Sequence, residues 1–219
     1  MGEFPGAGKR VLKSGGVLHT GTAWHCLVTG PGVLNTAMGL GAYLEHHTPE
    51  LILDTGIAGA FESSGLAIGD IAIADQEQYL NTGVGNDPLS LSPLPFELIP
   101  GCPEPSRGIY PFDPEPVGLW QARMERELGG CRTEIIKGPF LTVSAITRGR
   151  DRAHMLYDCF SPIMESMEGA AAAHVAACCG LPMVEIRAAS NMVGERNKQL
   201  WDFDLAREGV KNICLASLA

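Results

Sequence analysis

Residues 162–182 read PIMESMEGAAAAHVAACCGLP, and the ten that follow read MVEIRAASNM. Alanine has the best helix propensity, and its small side chain lets a helix press closely on a sheet. Gly180 followed by Pro182 is a regular helix stop. The segment predicts a strand at PIME, a helix over GAAAAHVAACCG and a buried strand at MVEIRAAS. The helix start falls near Glu168, where a carboxylate sits favourably against the positive end of the helix dipole. The same position also suits a plain first-turn acid on a solvated face.

The alternation extends outward in both directions. HCLVT (25–29) reads as a short buried strand, and VLNTAMGLGAYLEHH after it has Val33, Leu34, Ala37, Leu40 and Leu44 at helical spacing. ELILDTG is a second strand ending at a glycine turn, GIAG, and GDIAIADQEQY is a third. VGLWQARMERELGG reads as a helix, IKGPFLTVSAIT as a strand, DRAHMLYDCF as a short helix and LWDFDLAREGVKNICLASLA as a closing amphipathic helix. Strands alternating with helices predict an α/β sheet covered by helices. Residues 81–116, punctuated by Pro and Gly, read as one long irregular excursion of the kind used as a lid or an interface arm. An α/β domain of this kind usually opens with an apolar strand, whereas the first dozen residues here are polar and glycine-rich, so the first strand reads as missing.

With 219 residues the chain has room for one sizeable domain. A net charge of −9 disfavours nucleic acid and anionic membrane surfaces as partners. There is no apolar run long enough for a transmembrane helix, and MGEFPGAGKR lacks the apolar core of a signal peptide. Seven cysteines, an odd number without C-x-x-C spacing, predict reduced thiols in the cytoplasm rather than a disulfide frame or a zinc site. His19, His25, His46, His47, His154 and His174 show no metal-ligand spacing, and His174 reads as a core histidine.

TGPGVLN carries Gly30 and Gly32 between a strand and a helix, with Asp54 about 20 residues on, as in a dinucleotide fingerprint. Asn35 occupies the third glycine position, and Pro31 removes a backbone donor from the phosphate cradle, which argues against nicotinamide binding. A tight turn without a ligand and a different small-molecule site at the strand ends both remain open. No Lys or Arg occurs from residue 14 to residue 106, which weighs against strong anion binding near these loops.

The acidic box favours a nucleoside. A carboxylate such as Glu168, held at a strand-to-helix junction, can accept two hydrogen bonds, and a ribose offers vicinal hydroxyls. Met167 beside it would lie against the sugar face. Ser190-Asn191 ends the last strand, and the Asn191 amide, both donor and acceptor, complements a 6-oxopurine whose N7 gains a hydrogen bond as the base leaves. A turn residue satisfying its own backbone is the alternative for Asn191. Arg187 reads as structural, paired with Glu168 or Glu185.

In their order, TGPGVLNTA, ILDTGIAGAF, GDIAIADQEQY, ESMEGAA and EIRAASNMVGERNKQLW resemble the nucleoside phosphorylase and hydrolase superfamily, from about residue 25 to the C-terminus. The tail S-N-x-V-G-x-R-N-x-x-x-W resembles its futalosine hydrolase branch. The resemblance implies a single domain over residues 1–219, folded as a three-layer αβα sandwich with a mixed central sheet. It implies cleavage of the N-ribosidic bond of futalosine to hypoxanthine in a menaquinone route, without metal or organic cofactor, by a homo-oligomer. By the same resemblance Glu168 binds the ribose hydroxyls, Met167 packs on the sugar, and Asn191 assists base departure beside Ser190. The Ile57-Ala58-Gly59 turn lines the pocket, the stretch from Val143 through Ile146 to Thr147 contacts the base, and Glu3 positions the attacking water. A purine nucleoside phosphorylase and a catalytically impaired nucleoside-binding relative are the alternatives.

Overall fold

The computed structural model describes residues 16–20, 24–127 and 135–218. Its strands are β1 (Gly16–Thr20), β2 (His25–Val28), β3 (Ile52–Ala60), β4 (Ile71–Tyr79), β5 (Ile109–Pro111), β6 (Ile136–Thr142), β7 (Met164–Ser166) and β8 (Met183–Met192). Its α-helices are α1 (Val33–Leu44), α2 (Pro114–Glu127), α3 (Arg150–Phe160), α4 (Gly169–Cys179) and α5 (Phe203–Leu218).

Six strands form a mixed sheet in the order β5-β4-β6-β7-β3-β8. β3–β8, β4–β6 and β6–β7 are parallel, while β4–β5 and β3–β7 are antiparallel. The start of β4 also pairs with β8, Ile71 to Ala188 and Ile73 to Ile186, so five strands close on themselves. Small residues make the closure possible: Ala58, Ala60, Ala72, Ala74 and Ala189 are buried with Phe140 and Met164 in one cluster.

Helices cover both faces, as expected of a three-layer α/β fold. On one face, Ala170, Ala172, Ala173 and Ala176 of α4 pack with Leu40 of α1, Ile52 and Met183. On the other, Val117, Trp120 and Met124 of α2 and Ala206, Val210 and Ile213 of α5 cover Ile73, Val184 and Ile186. β8 reads Val-Glu-Ile-Arg-Ala, so strand alternation sends Val184 and Ile186 to the α2–α5 face and leaves Glu185 and Arg187 pointing to the other.

Three expectations are corrected. HCLVT does not join the main sheet; β2 pairs antiparallel with β1 in a separate two-stranded sheet. Its outer residues, His25 and Val28, are exposed, which fits a ribbon better than a buried strand. Residues 57–59 are not a turn, because β3 continues to Ala60. Glycine within a strand marks close approach of another group: a Cβ at Gly56 would run into the Arg187 guanidinium, and one at Gly59 would crowd Val193 and Asn191. Finally, the 81–116 excursion contains β5, which pairs with Gln76–Gln78 at the sheet edge, and α2 starts within it at Pro114. Pro111 is tolerated there because an edge strand has a side that needs no donor.

No helix among the described residues is long and apolar enough to cross a membrane. The six described cysteines are free thiols.

Candidate functional site

Glu168 is the residue just before α4, at the β7-to-α4 junction. Its Oε1 accepts the Gly32 backbone N–H at 2.8 Å, and its Oε2 accepts the Met167 N–H at 3.3 Å. Arg187 Nη1 stands 3.6 Å from the same Oε2. The GPG loop therefore meets the acidic box even though β2 lies outside the main sheet. Gly32 has φ +91°, a conformation that favours glycine. The Glu168 side chain keeps 19% of its surface exposed and Met167 is half-buried, so both can be reached from solvent.

Asn191 sits near the end of β8, where the register with β3 slips: Ala58 faces Ala189 but Gly59 faces Asn191. The extra residue is Ser190, whose Oγ lies 3.1 Å from the Ala58 carbonyl and 2.9 Å from Asn191 Oδ1. Asn191 Nδ2 donates to the Met192 carbonyl at 3.1 Å. With Oδ1 held by the Ser190 hydroxyl, the amide is oriented, and Nδ2 retains a second N–H.

Beneath this edge lies a network centred on Arg187, a buried side chain. Its Nε donates to Glu185 Oε1 at 2.8 Å and its Nη2 to Asp54 Oδ2 at 2.5 Å. Asp54 is thus paired to a guanidinium within a strand and does not end one, which removes the dinucleotide reading of that acid. Burial raises the Asp54 carboxyl, and Arg187 pulls it back. Glu77 on β4 is completely buried and accepts from the Thr142 hydroxyl at 2.8 Å. The same Thr142 oxygen accepts the Ala170 N–H at 2.9 Å, tying the first turn of α4 to β6.

Glu165 on β7 turns to the loop after β6, accepting the Thr147 N–H at 3.1 Å and the Thr147 hydroxyl. Burial raises its carboxyl above the usual range. His174 is tied to Tyr110 Oη at 3.1 Å, and burial lowers its pKa.

The remaining predicted residues are placed unevenly. Val143 is buried among Phe61, Leu141, Leu156 and Val193, and Ile146 is 48% exposed in the following loop. Ile57 packs against the α2–α5 cluster and Ala58 lies in the small-residue core, so of the 57–59 trio Gly59 is the one against Asn191. Glu3 lies outside the described residues. Sequence reasoning missed Glu77, Thr142 and the close fit at Gly169, where a Cβ would run into the Glu77 and Glu185 carboxylates. The available signal was an acid within each of three strands that run into the core, Asp54 on β3, Glu77 on β4 and Glu185 on β8, which predicts buried pairing.

Residues 3–219 match the Phosphorylase superfamily. Over 181 residues the chain is 30% identical to the futalosine hydrolase of Thermus thermophilus, covering 83% of this chain and 75% of that protein. The S-adenosylhomocysteine nucleosidase of Streptococcus pyogenes, solved with 5-methylthiotubericidin, superposes with a TM-score of 0.71 at 26% identity, covering 89% of this chain and 78% of that one. The 5′-methylthioadenosine/S-adenosylhomocysteine nucleosidase of Neisseria meningitidis shares the fold, with a TM-score of 0.72 at 18% identity, covering 89% and 79%. The strand-and-helix order, the acidic junction at Glu168 and these similarities lead to one placement: the chain belongs to the phosphorylase superfamily.

Proposed function

We propose that this chain is a nucleosidase that hydrolyses the N-ribosidic bond of futalosine and releases hypoxanthine. The observation that carries the reading is the oriented amide of Asn191, held by Ser190 over Gly59 near the end of β8. Its remaining N–H would donate to purine N7 as the bond to C1′ lengthens, and a 6-oxopurine leaves best with N7 so supported. Glu168 would accept hydrogen bonds from the ribose hydroxyls with Met167 against the sugar. Water would add its oxygen to C1′ as the C1′–N9 bond breaks, and hypoxanthine would leave with the proton the water gives up. Glu3 is the carboxylate assigned to that water. The likeness to the Thermus futalosine hydrolase supports the substrate class.

Arg187 favours hydrolysis over phosphorolysis. It is buried and engaged by Asp54, Glu185 and Glu168, so it is not free to receive phosphate, and no Lys or Arg occurs from residue 14 to residue 106. The reading includes one cytoplasmic domain per chain, a homo-oligomer, and no metal or organic cofactor. The test is hypoxanthine release from futalosine, with inosine and methylthioadenosine alongside, in phosphate-free buffer and again with phosphate. Release from futalosine without phosphate is the expected result. Release that requires phosphate would move the chain to the phosphorylases.

A further inference from the structure

We propose that Glu77 and Glu185 share one proton beneath the first turn of α4, and that this pair, by anchoring Arg187, positions Glu168 for the ribose. The second half rests on the nucleosidase reading above.

Two buried carboxylate oxygens, Glu77 Oε1 and Glu185 Oε2, have no hydrogen-bond partner among the described groups. They converge on one point: a Cβ built on Gly169 would collide with Glu77 Oε1 and with both oxygens of Glu185. Glycine at the first position of α4 is what lets the helix rest on the pair. Two ionised oxygens in such a place would repel each other without water to screen them. One proton between them satisfies both.

The other contacts say where the proton sits. Glu185 Oε1 accepts from Arg187 Nε, which favours the ionised form of Glu185. Glu77 faces no cation so closely; its Oε2 accepts from the neutral Thr142 hydroxyl. Glu77 is therefore the acid, and its Oε1–H donates to Glu185 Oε2. Burial raises the Glu77 carboxyl well above the ordinary range and the neighbouring Glu185 charge adds to it, whereas Arg187 pulls the buried Glu185 back down.

The surroundings are acidic from several elements. Asp54 faces Arg187 from β3, Glu168 from the α4 junction, and Tyr110 lies opposite Glu77 on β5. With Glu77 protonated, the single charge of Arg187 faces three carboxylates, those of Asp54, Glu168 and Glu185. A fourth charge would leave Glu185 facing a second anion, loosen its hold on Arg187 and push against the turn that begins at Glu168. With the shared proton joining Glu77 to Glu185, the chain of contacts runs from the Ala170 N–H through Thr142, Glu77, Glu185 and Arg187 to Glu168.

Two measurements on the whole chain test this. The first is infrared spectroscopy of the wild type and of Glu77→Gln across pH. The wild type should keep a protonated-carboxyl carbonyl band at a pH where ordinary glutamates are ionised, and the variant should lose it. The second is the pH dependence of KM and kcat for futalosine, from about pH 6 to about pH 10. The wild-type KM should rise at least ~10-fold on the alkaline side with kcat changing less than ~3-fold, as a lost ground-state contact would do. Glu77→Gln still donates an N–H to Glu185 but cannot ionise, so its KM should stay level. Absence of a Glu77-dependent band overturns the shared proton. A band with superimposable KM profiles overturns the positioning role. A wild type that releases no purine at any pH overturns the nucleosidase reading and the positioning role with it, while the band still decides the shared proton.

Discussion

Gly59 on β3 lies across from Asn191 on β8, and a Cβ at Gly59 would come within 3.2 Å of Asn191 Nδ2 and 3.0 Å of Val193 Cγ2. The amide that the proposed mechanism uses is seated against bare backbone. Gly59→Ala should displace it by a few tenths of an ångström. The expected outcome is a fall in kcat of about 10-fold, with a stability loss of only about 1–3 kcal/mol, the usual cost of overpacking. Steady-state kinetics beside a urea melt would separate the two effects, and an unchanged kcat would show that Asn191 tolerates the shift.

Asn191 itself should matter mainly as the base departs. Asn191→Ala is expected to lower turnover at least ~10²-fold with the fold intact. Asn191→Asp should shift preference from a 6-oxopurine toward a 6-aminopurine, because the carboxyl suits the amino-bearing base better. Comparing purine release from inosine and adenosine by the two variants checks the assignment; wild-type rates in Asn191→Ala would remove it.

Glu168→Gln should weaken sugar recognition and slow the reaction, since a neutral amide can no longer accept from two ribose hydroxyls with both oxygens. The same change loosens the contact with Arg187 3.6 Å away. A rise in KM together with lower kcat/KM is expected for futalosine. Wild-type kinetics would mean that the acid is only a helix-start charge.

Arg187→Met removes the cation from a buried cluster of carboxylates. Breaking a buried pair by deleting one partner typically costs about 3–5 kcal/mol, because the remaining charges are left uncompensated. Equilibrium urea unfolding should show a loss of that size near neutral pH. The loss should shrink as pH falls and Asp54 and Glu185, both raised by burial, take up protons. A loss that does not vary with pH would place the effect in packing instead.

Glu77 predicts the sign of a pH effect on folding. Its folded-state pKa is raised, so between the ordinary glutamate value and the raised one the folded chain holds a proton that the unfolded chain has released. The unfolded state then binds fewer protons, and stability falls as pH rises through that window, by up to about 1.4 kcal/mol per pH unit for this one group. Glu77→Gln removes the slope. The difference in unfolding free energy between variant and wild type should therefore grow in favour of the variant as pH is raised above about 4.5. A difference that is flat with pH would mean that Glu77 titrates normally in the folded chain.

The sequence by itself determined the elements and the box. Alanine run, glycine stop and apolar strands place β7, α4 and β8, and the position of Glu168 at the helix start follows from local propensity and capping. Asn191 at the end of a buried strand was legible for the same reason. What the tertiary structure alone decided is which residues meet. β3 continues through its glycines because Arg187 and Asn191, far along the chain, press on them from β8. HCLV leaves the main sheet for a ribbon with β1. Glu77, Glu185, Asp54 and Glu168 come from four separate places along the chain and converge around Arg187. Local patterns report which face a side chain takes, whereas the pairing of strands distant in sequence sets its neighbours, and in a buried site the neighbours determine charge and protonation.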